Sequence, residues 1–361
     1  MIPFLDLKKI NAPYETAFQE KLKTVLENGW YILGEEVKAF ENSFANYCGS
    51  KYCVGVGNGF DALVLIFKGY IKLGKLQKGD EVIVPANTYI ASILAILEAD
   101  LIPILVEPRI STYNINPELI EEKITSKTKA ILAVHLYGQL AEMDAINTIG
   151  AASDLLVIED AAQAHGASNE IESDNAKAYS FYPGKNLGAL GDGGAVVTDN
   201  SELDKVIRSL RNYGSETKYY NDYAGVNSRL DELQAAFLNV KLPHLNAENE
   251  QRRIIARRYL SEIKNKRILL PEWDLSNKHV FHLFVIRTEN RAELQEYLHE
   301  NGIQTVIHYP VPPHKQKALS DYHKLSFPFT EKIHQTVLSI PISSVLTAEE
   351  VSFIIAILNK Y

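Results

Sequence analysis

Residues 155–166 read LLVIEDAAQAHG. An apolar run ends on two acids, Glu159 and Asp160, and an amide, Gln163, follows within one helical turn. A strand covering only one face of a sheet alternates apolar and polar residues. This run has no polar face until it ends, so it reads as a strand buried on both sides. The same texture recurs at 52–57 (YCVGVG), 81–85 (EVIVP), 101–107 (LIPILVE), 129–136 (KAILAVHL), 177–182 (KAYSFY) and 194–199 (GAVVTD). Helical patterns such as FDALVLIFKGYIKLG and YIASILAILEA separate several of these runs. The alternation predicts an α/β fold with a mostly parallel, seven-stranded sheet covered by helices.

The chain has 361 residues, 46% of them hydrophobic, which is enough for two domains. A long amphipathic stretch, RLDELQAAFLNVKLPHLNAENEQRRIIARRYLSEIKN, is broken near Pro243 and ends this rhythm. Beyond it lie fewer strands (VFHLFVIRT) and more helix (RAELQEYLHENGI). The expected division is a large domain over 1–245 and a smaller α+β domain over 246–361. Net charge is −8 with no long basic cluster, which argues against nucleic acid or an anionic membrane as partner. The first residues, MIPFLDLKKI, lack the basic-then-apolar pattern of a signal peptide. No stretch approaches the ~18 consecutive apolar residues of a membrane span. Cys48 and Cys53, five residues apart, form neither a zinc motif nor a disulfide framework. A reduced, cytoplasmic protein is expected.

Ligands of an open parallel sheet bind at the carboxyl ends of its strands. Glu159 and Asp160 sit at such an end, although either alone reads equally well as a helix cap. Their weight rises because Lys185 follows 25 residues beyond Asp160, in SFYPGKNLGALGDGGAVVTD (180–199). A proline and a glycine precede this lysine and four glycines follow it, as if the backbone must pass close to a ligand or adopt positive φ. The turn VGVGNGFDALVL offers backbone N–H groups and a helix N-terminus to a phosphate. It lacks the GxGxxG of a dinucleotide fold, and PGKN lacks P-loop spacing, so one phosphate fits better than a pyrophosphate. Tyr89 supplies an aromatic face just past a strand, or else is simply a partly buried tyrosine. Ser180 precedes the lysine by five residues and can donate to the same phosphate. Together these form a phosphate cradle, a stacking ring, an acid for a pyridinium, an amide for the ring oxygen and a lysine for an imine. That is the inventory for pyridoxal phosphate.

The sequence also resembles the pyridoxal-phosphate sugar aminotransferases of the DegT/DnrJ/EryC1/StrS group, which have the aspartate aminotransferase type I fold. The resemblance runs through FLDLKKINAPY, GWYILGEEVKAFENSFANYCGSKYCVGVGNG, EVIVPANTYIAS, VHLYGQLAEMD, VIEDAAQAHGA, SFYPGKNLGALGDGGAVVT, LRNYGS, GVNSRLDELQAAFL and HYPVPPH. It implies that Lys185 joins the cofactor as an imine and moves protons. Asp160 would pair with the pyridine nitrogen, Gln163 would approach the ring hydroxyl, and Tyr89 would stack on the ring. Gly59, the backbone of Phe60 and Ser180 would hold the phosphate. Asn227 would reach the phosphate of the neighbouring subunit's cofactor, which implies a homodimer. Where the family often has threonine after the glycine, this chain has Phe60, so a hydroxyl is lost there.

The implied reaction moves an amino group from an amino acid, glutamate first among candidates, through pyridoxamine phosphate to a keto-sugar. HLYGQ with KYYNDYAGVNSRLDELQAA most resembles enzymes that aminate C3 of a dTDP-linked 3-keto-6-deoxyhexose, a step in cell-surface glycan (O-antigen) synthesis. Galacto or gluco configuration stays open. Tyr31, Tyr182, Arg211, Tyr219, Tyr220, His308 and Tyr309 are the expected substrate contacts, with surface or interface packing as the alternative for each. His279 and His282, in KHVFH, have metal-like spacing but no acid or cysteine nearby, and no metal is expected. Amination at C4, a lysine-bearing dehydratase and a non-catalytic sugar sensor are the rival readings. The complete set of Asp160, Gln163, Ser180 and Lys185 argues against the sensor, and no DNA-binding segment precedes FLDLKK.

Overall fold

The structure is a computed structural model that describes residues 1–168, 174–217 and 219–361. Helices α1 (Leu7–Asn11), α2 (Glu15–Asn28) and α3 (Glu35–Tyr47) lead into strand β1 (Tyr52–Val56) and helix α4 (Gly59–Lys72). Next come β2 (Glu81–Pro85), α5 (Ile90–Glu98), β3 (Ile102–Val106), β4 (Thr128–Val134), α6 (Met143–Ala152), β5 (Leu156–Asp160), β6 (Ala176–Ser180) and β7 (Gly194–Thr198). Among the described residues these strands form one seven-stranded sheet in the order β1-β7-β6-β5-β4-β2-β3. β2 to β6 are mutually parallel, and β7 runs antiparallel to both of its neighbours, so β1 points the same way as β6. All seven apolar runs are strands. Their burial on both faces follows from helices above and below. α4, α5 and α7 (Ser201–Leu210) pack on one side, while α3, α6 and α8 (Glu232–Lys241) pack on the other.

A short hairpin, β8 (Ser215–Thr217) with β9 (Tyr220–Asn221), lies between α7 and α8. Pro243 sits in the one-turn 3-10 helix Leu242–His244, between α8 and α9 (Leu245–Glu262). Proline fits the first turn of a helix but not its interior, so the chain bends there. A second apolar core joins α9, β10 (Phe284–Arg287), α10 (Arg291–Glu300), β11 (Val337–Ile340) and α12 (Ala348–Lys360). α11 (Pro328–Thr336) precedes β11. The chain start crosses to this smaller part, since Ile2 N donates to Gly302 O and Gln304 N to Ile2 O. Phe4, Tyr137, Leu283 and Tyr309 belong to an apolar cluster that joins the two parts. Glu107, just past β3, accepts from Phe329 N and Thr330 N and so caps α11 across the junction. Among the described residues no helix is long and apolar enough to cross a membrane.

Candidate active site

Because β1 to β6 run the same way, their carboxyl ends share one edge of the sheet, where the smaller part packs. A cavity of about 530 Å³ lies at this edge. Gly59 and Phe60 follow β1, Tyr89 follows β2, Asp160 ends β5 and Ser180 ends β6. Lys185 lies in the β6–β7 connection, and all six residues line the cavity. Gln163, Tyr182, His308 and Tyr309 line it as well. Phe60 turns its half-buried side chain onto the core beneath α4, which leaves its backbone N–H at the helix start.

The connection that carries Lys185 is pinned from several sides. Lys241 Nζ donates to Gly188 O at 2.8 Å, Leu190 N donates to Gln234 Oε1 at 2.9 Å, and Asn186 Nδ2 donates to Asn249 Oδ1 at 2.8 Å. Its glycines serve close approach and not positive φ, which none of the five adopts. A Cβ on Gly194 would stand 2.4 Å from the Asn58 carbonyl, and one on Gly188 would stand 2.3 Å from Pro183 O.

Burial lowers the Lys185 amine to about 8, with Asp160 pulling the other way. Asp160 is buried; its Oδ1 accepts from Ala162 N at 3.1 Å and its Oδ2 from Ser92 Oγ at 2.7 Å. Gln163 is held by its oxygen, which accepts from Tyr137 N at 2.6 Å, so its amide nitrogen is turned to the cavity side and donates to Tyr309 Oη at 3.2 Å. The Tyr89 ring lies 5.2 Å from that of Tyr309. His308 is held at about 4 by burial and by Lys185, and its Nδ1 is 2.9 Å from Ser339 Oγ. Lys185 therefore has neutral imidazole and phenol groups around it, and Asp160 as its acid.

Some expected residues are elsewhere. Arg211 is a correction: its guanidinium is buried, donating to Glu41 Oε1 and Gly55 O, both at 2.6 Å. It neutralises Glu41 behind β1 and does not reach the cavity. Tyr31, Tyr219, Tyr220 and Asn227 are exposed and lie outside the cavity wall of their own chain. His279 is buried, its ring stacked on Phe281, whereas His282 lines the cavity.

Other residues of the wall escaped the sequence reading. His135 directly follows β4, where the strand-end rule would have found it. Its Nδ1 accepts from Ala141 N, so its Nε2 carries the proton donated to Glu159 at 2.8 Å. Burial pushes Glu159 up, but His135, Lys177 and Asn175 outweigh it and hold the acid at about 2. Phe4, Thr88 and Ser92 also line the cavity, with no local signal to mark them.

A family model described as the DegT/DnrJ/EryC1/StrS aminotransferase family matches residues 14–359. The chain belongs to this family. A dTDP-3-amino-3,6-dideoxy-alpha-D-galactopyranose transaminase of Aneurinibacillus thermoaerophilus is 56% identical to it, over 100% of this chain and 99% of that one. The crystal structure of Streptomyces venezuelae DesV in complex with a ketimine intermediate superposes with a TM-score of 0.95 at 43% identity, covering 99% and 98% of the two chains. That of NtdA from Bacillus subtilis with its bound cofactor, PMP, gives 0.92 at 35% identity, covering 99% and 84%. The protein is a pyridoxal-phosphate-dependent aminotransferase of the type I fold. The residues present fit this cofactor. A Cβ on Gly59 would stand 2.6 Å from Ser180 Cβ, so glycine lets the start of α4 and the end of β6 meet and brings the helix N–H groups and the Ser180 hydroxyl to one place, as a phosphate requires. The Lys185 amine and the Asp160 carboxylate occupy the same cavity.

Proposed function

We propose that this aminotransferase moves the amino group of glutamate to C3 of a dTDP-linked 3-keto-6-deoxyhexose. The product is a dTDP-3-amino-3,6-dideoxyhexose of galacto configuration for cell-surface glycan (O-antigen) synthesis in the cytoplasm. The observation that carries the chemistry is Lys185, an amine kept near neutrality in one cavity with Asp160, Tyr89, Gln163 and Ser180. The position on the sugar rests on the 56% identity, over the full chain, to a transaminase named for that product.

Pyridoxal phosphate, when bound, supplies the electron sink that lets a Cα–H bond ionise. Gly59 N–H, Phe60 N–H and the Ser180 hydroxyl hold its phosphate, with the N-terminus of α4 behind them. Asp160 would hold a proton on the ring nitrogen. Gln163 Nε2 has one hydrogen on Tyr309 and a second for the ring oxygen. Tyr89 covers one ring face. Lys185 Nζ would take the proton from the donor's Cα and pass it to the cofactor carbon that carries the amino group, and its lowered pKa suits both transfers near neutral pH. Tyr182, His308 and Tyr309 line the side where the sugar enters.

A homodimer completes this arrangement. Trp30, Tyr31, Tyr213 and Asn227 are exposed, and the bridges Ile32–Asp231 and Asn212–Asn227 tie the segments that carry them together in pairs. On this reading Asn227, Tyr31, Tyr219 and Tyr220 of one copy meet the cavity of the other, in line with their exposure here.

An absorption spectrum of the loaded protein tests the reading. Glutamate should convert the bound cofactor to pyridoxamine phosphate. dTDP-3-keto-6-deoxyhexose, and not its 4-keto isomer, should reverse the change, and Lys185→Ala should abolish both. Reversal by the 4-keto isomer overturns the position. A spectrum that no amino acid alters overturns transamination.

A further inference from the structure

The carboxylate of Asp160 is held from two sides before any ligand arrives. Ala162 N reaches Oδ1 and Ser92 Oγ reaches Oδ2, so rotation of the carboxyl plane breaks one bond or the other. Ser92 is 1% exposed, as is Thr88, whose Oγ1 lies 2.8 Å from Ser92 Oγ. The direction of these protons follows from chemistry. An ionised carboxylate only accepts, so the single Ser92 proton goes to Asp160, and the contact between the hydroxyls is filled from Thr88. The result is a one-way chain from Thr88 to Ser92 to Asp160. Thr88 and Ser92 are four residues apart and flank Tyr89, which precedes the first residue of α5. One helix start therefore brings the ring-covering tyrosine and the serine beneath Asp160 to the same cavity.

We propose that Ser92, backed by Thr88, is a positioning residue that fixes the plane of the Asp160 carboxylate against the cofactor's ring nitrogen and so keeps that nitrogen protonated. The inference rests on the cofactor reading above. Without the Ser92 bond, the carboxylate turns on its remaining contact and the ring nitrogen loses its proton more readily. The ring then withdraws fewer electrons, so the nitrogen that links Lys185 to the cofactor becomes more basic and the absorption of its protonated form persists to higher pH.

Wild type, Ser92→Ala, Thr88→Val and Ser92→Thr are loaded with pyridoxal phosphate, and the visible absorption of each is titrated against pH. Cofactor affinity is measured separately by adding pyridoxal phosphate to cofactor-free protein. Lys185 and Tyr309, the other titratable groups that feel Asp160, are common to all four proteins. Ser92→Ala should raise the absorption midpoint by about one pH unit and weaken cofactor binding roughly 10-fold. Thr88→Val should move both in the same direction by less, and Ser92→Thr, which restores the hydroxyl, should return the midpoint towards wild type. A serine that only fills space changes stability but not the midpoint. If wild type loads and Ser92→Ala titrates identically, the proposal falls and the cofactor reading stands. If wild type takes up no cofactor, both fall together.

Discussion

Helices α3 and α4 flank β1 in sequence, and the chain treats their N-termini in opposite ways. At α3 it provides its own anion. Glu232, 3% exposed and 198 residues away in sequence, accepts from Gly34 N at 2.7 Å, Glu36 N at 2.9 Å and Val37 N at 2.9 Å. At α4 the cap is partial. Asn58 takes Asp61 N, and the Asp61 carboxylate is turned aside onto Ser228 Oγ at 2.6 Å. The N–H groups of Gly59 and Phe60, which have no acceptor inside the helix, are left for the cavity. The same end of a helix is thus closed at α3 and open at α4, the end to which the proposed function assigns the phosphate. The closed end should matter to stability and the open end to binding.

Glu232→Ala is the strongest way to break that contrast. It strands three amides at a buried helix start, at a cost of roughly 3 kcal/mol of folding stability. Cofactor affinity of the molecules that remain folded should not change. Denaturant unfolding beside a pyridoxal phosphate titration separates the two quantities. A loss of affinity with stability intact would reverse the roles assigned to the two helices.

Gly59→Ala is the reciprocal change. The new Cβ would sit 2.6 Å from Ser180 Cβ and 3.1 Å from its Cα, so the helix start and the end of β6 must separate. Losing two charge-assisted hydrogen bonds to the phosphate should weaken cofactor binding on the order of 100-fold. The cofactor-free protein should lose roughly 1–3 kcal/mol, the cost of overpacking against Ser180, so the loss of affinity is read on the molecules that remain folded. Equal affinity for the two proteins would remove the phosphate from this helix.

How much of this contrast was legible in the sequence depends on range. The seven strands could be read from their apolar runs, and with them the strand-end positions of Asp160 and Ser180; Lys185, in the connection after β6, lines the same cavity. β11 was missed. Its four residues lie in VLSIPIS, an apolar run too short to distinguish strand from turn. Glu232 and Ser92 were also missed, because their partners are 195 or more and 68 residues away and nothing in the local pattern marks a serine as holding an acid. Arg211 was misplaced for the same reason. An arginine after an amphipathic helix looks alike whether it meets a substrate or, as here, a buried glutamate. The glycines after Lys185 were read correctly as close approaches and incorrectly as positive φ, since sequence alone does not separate the two uses.

The smallest predicted effect sharpens the contrast at the level of charge. Glu41, beside β1, is paired with two guanidinium groups, those of Arg208 and Arg211. Lys185 has Asp160 and a cavity that awaits an anion. In the cofactor-free protein, burial lowers its amine from the ordinary lysine value to about 8. Between that pH and the ordinary lysine range, the unfolded chain holds a proton that the folded chain has released. Stability must therefore rise with pH across this window, and the charged amine is a burden below it. From pH 8 to pH 9 the contribution is roughly 1 kcal/mol. Lys241, also lowered to about 8, adds a slope of its own, so the comparison has to be made against Lys185→Met, which keeps Lys241. Wild type should gain that increment relative to the variant when both are unfolded without cofactor at the two pH values. Bound pyridoxal phosphate should erase the difference, because Lys185 is then joined to the cofactor and its free amine no longer titrates. Equal slopes in the cofactor-free proteins would mean that Lys185 is as well solvated or paired as a surface lysine, and the open edge would then be open in shape but not in charge.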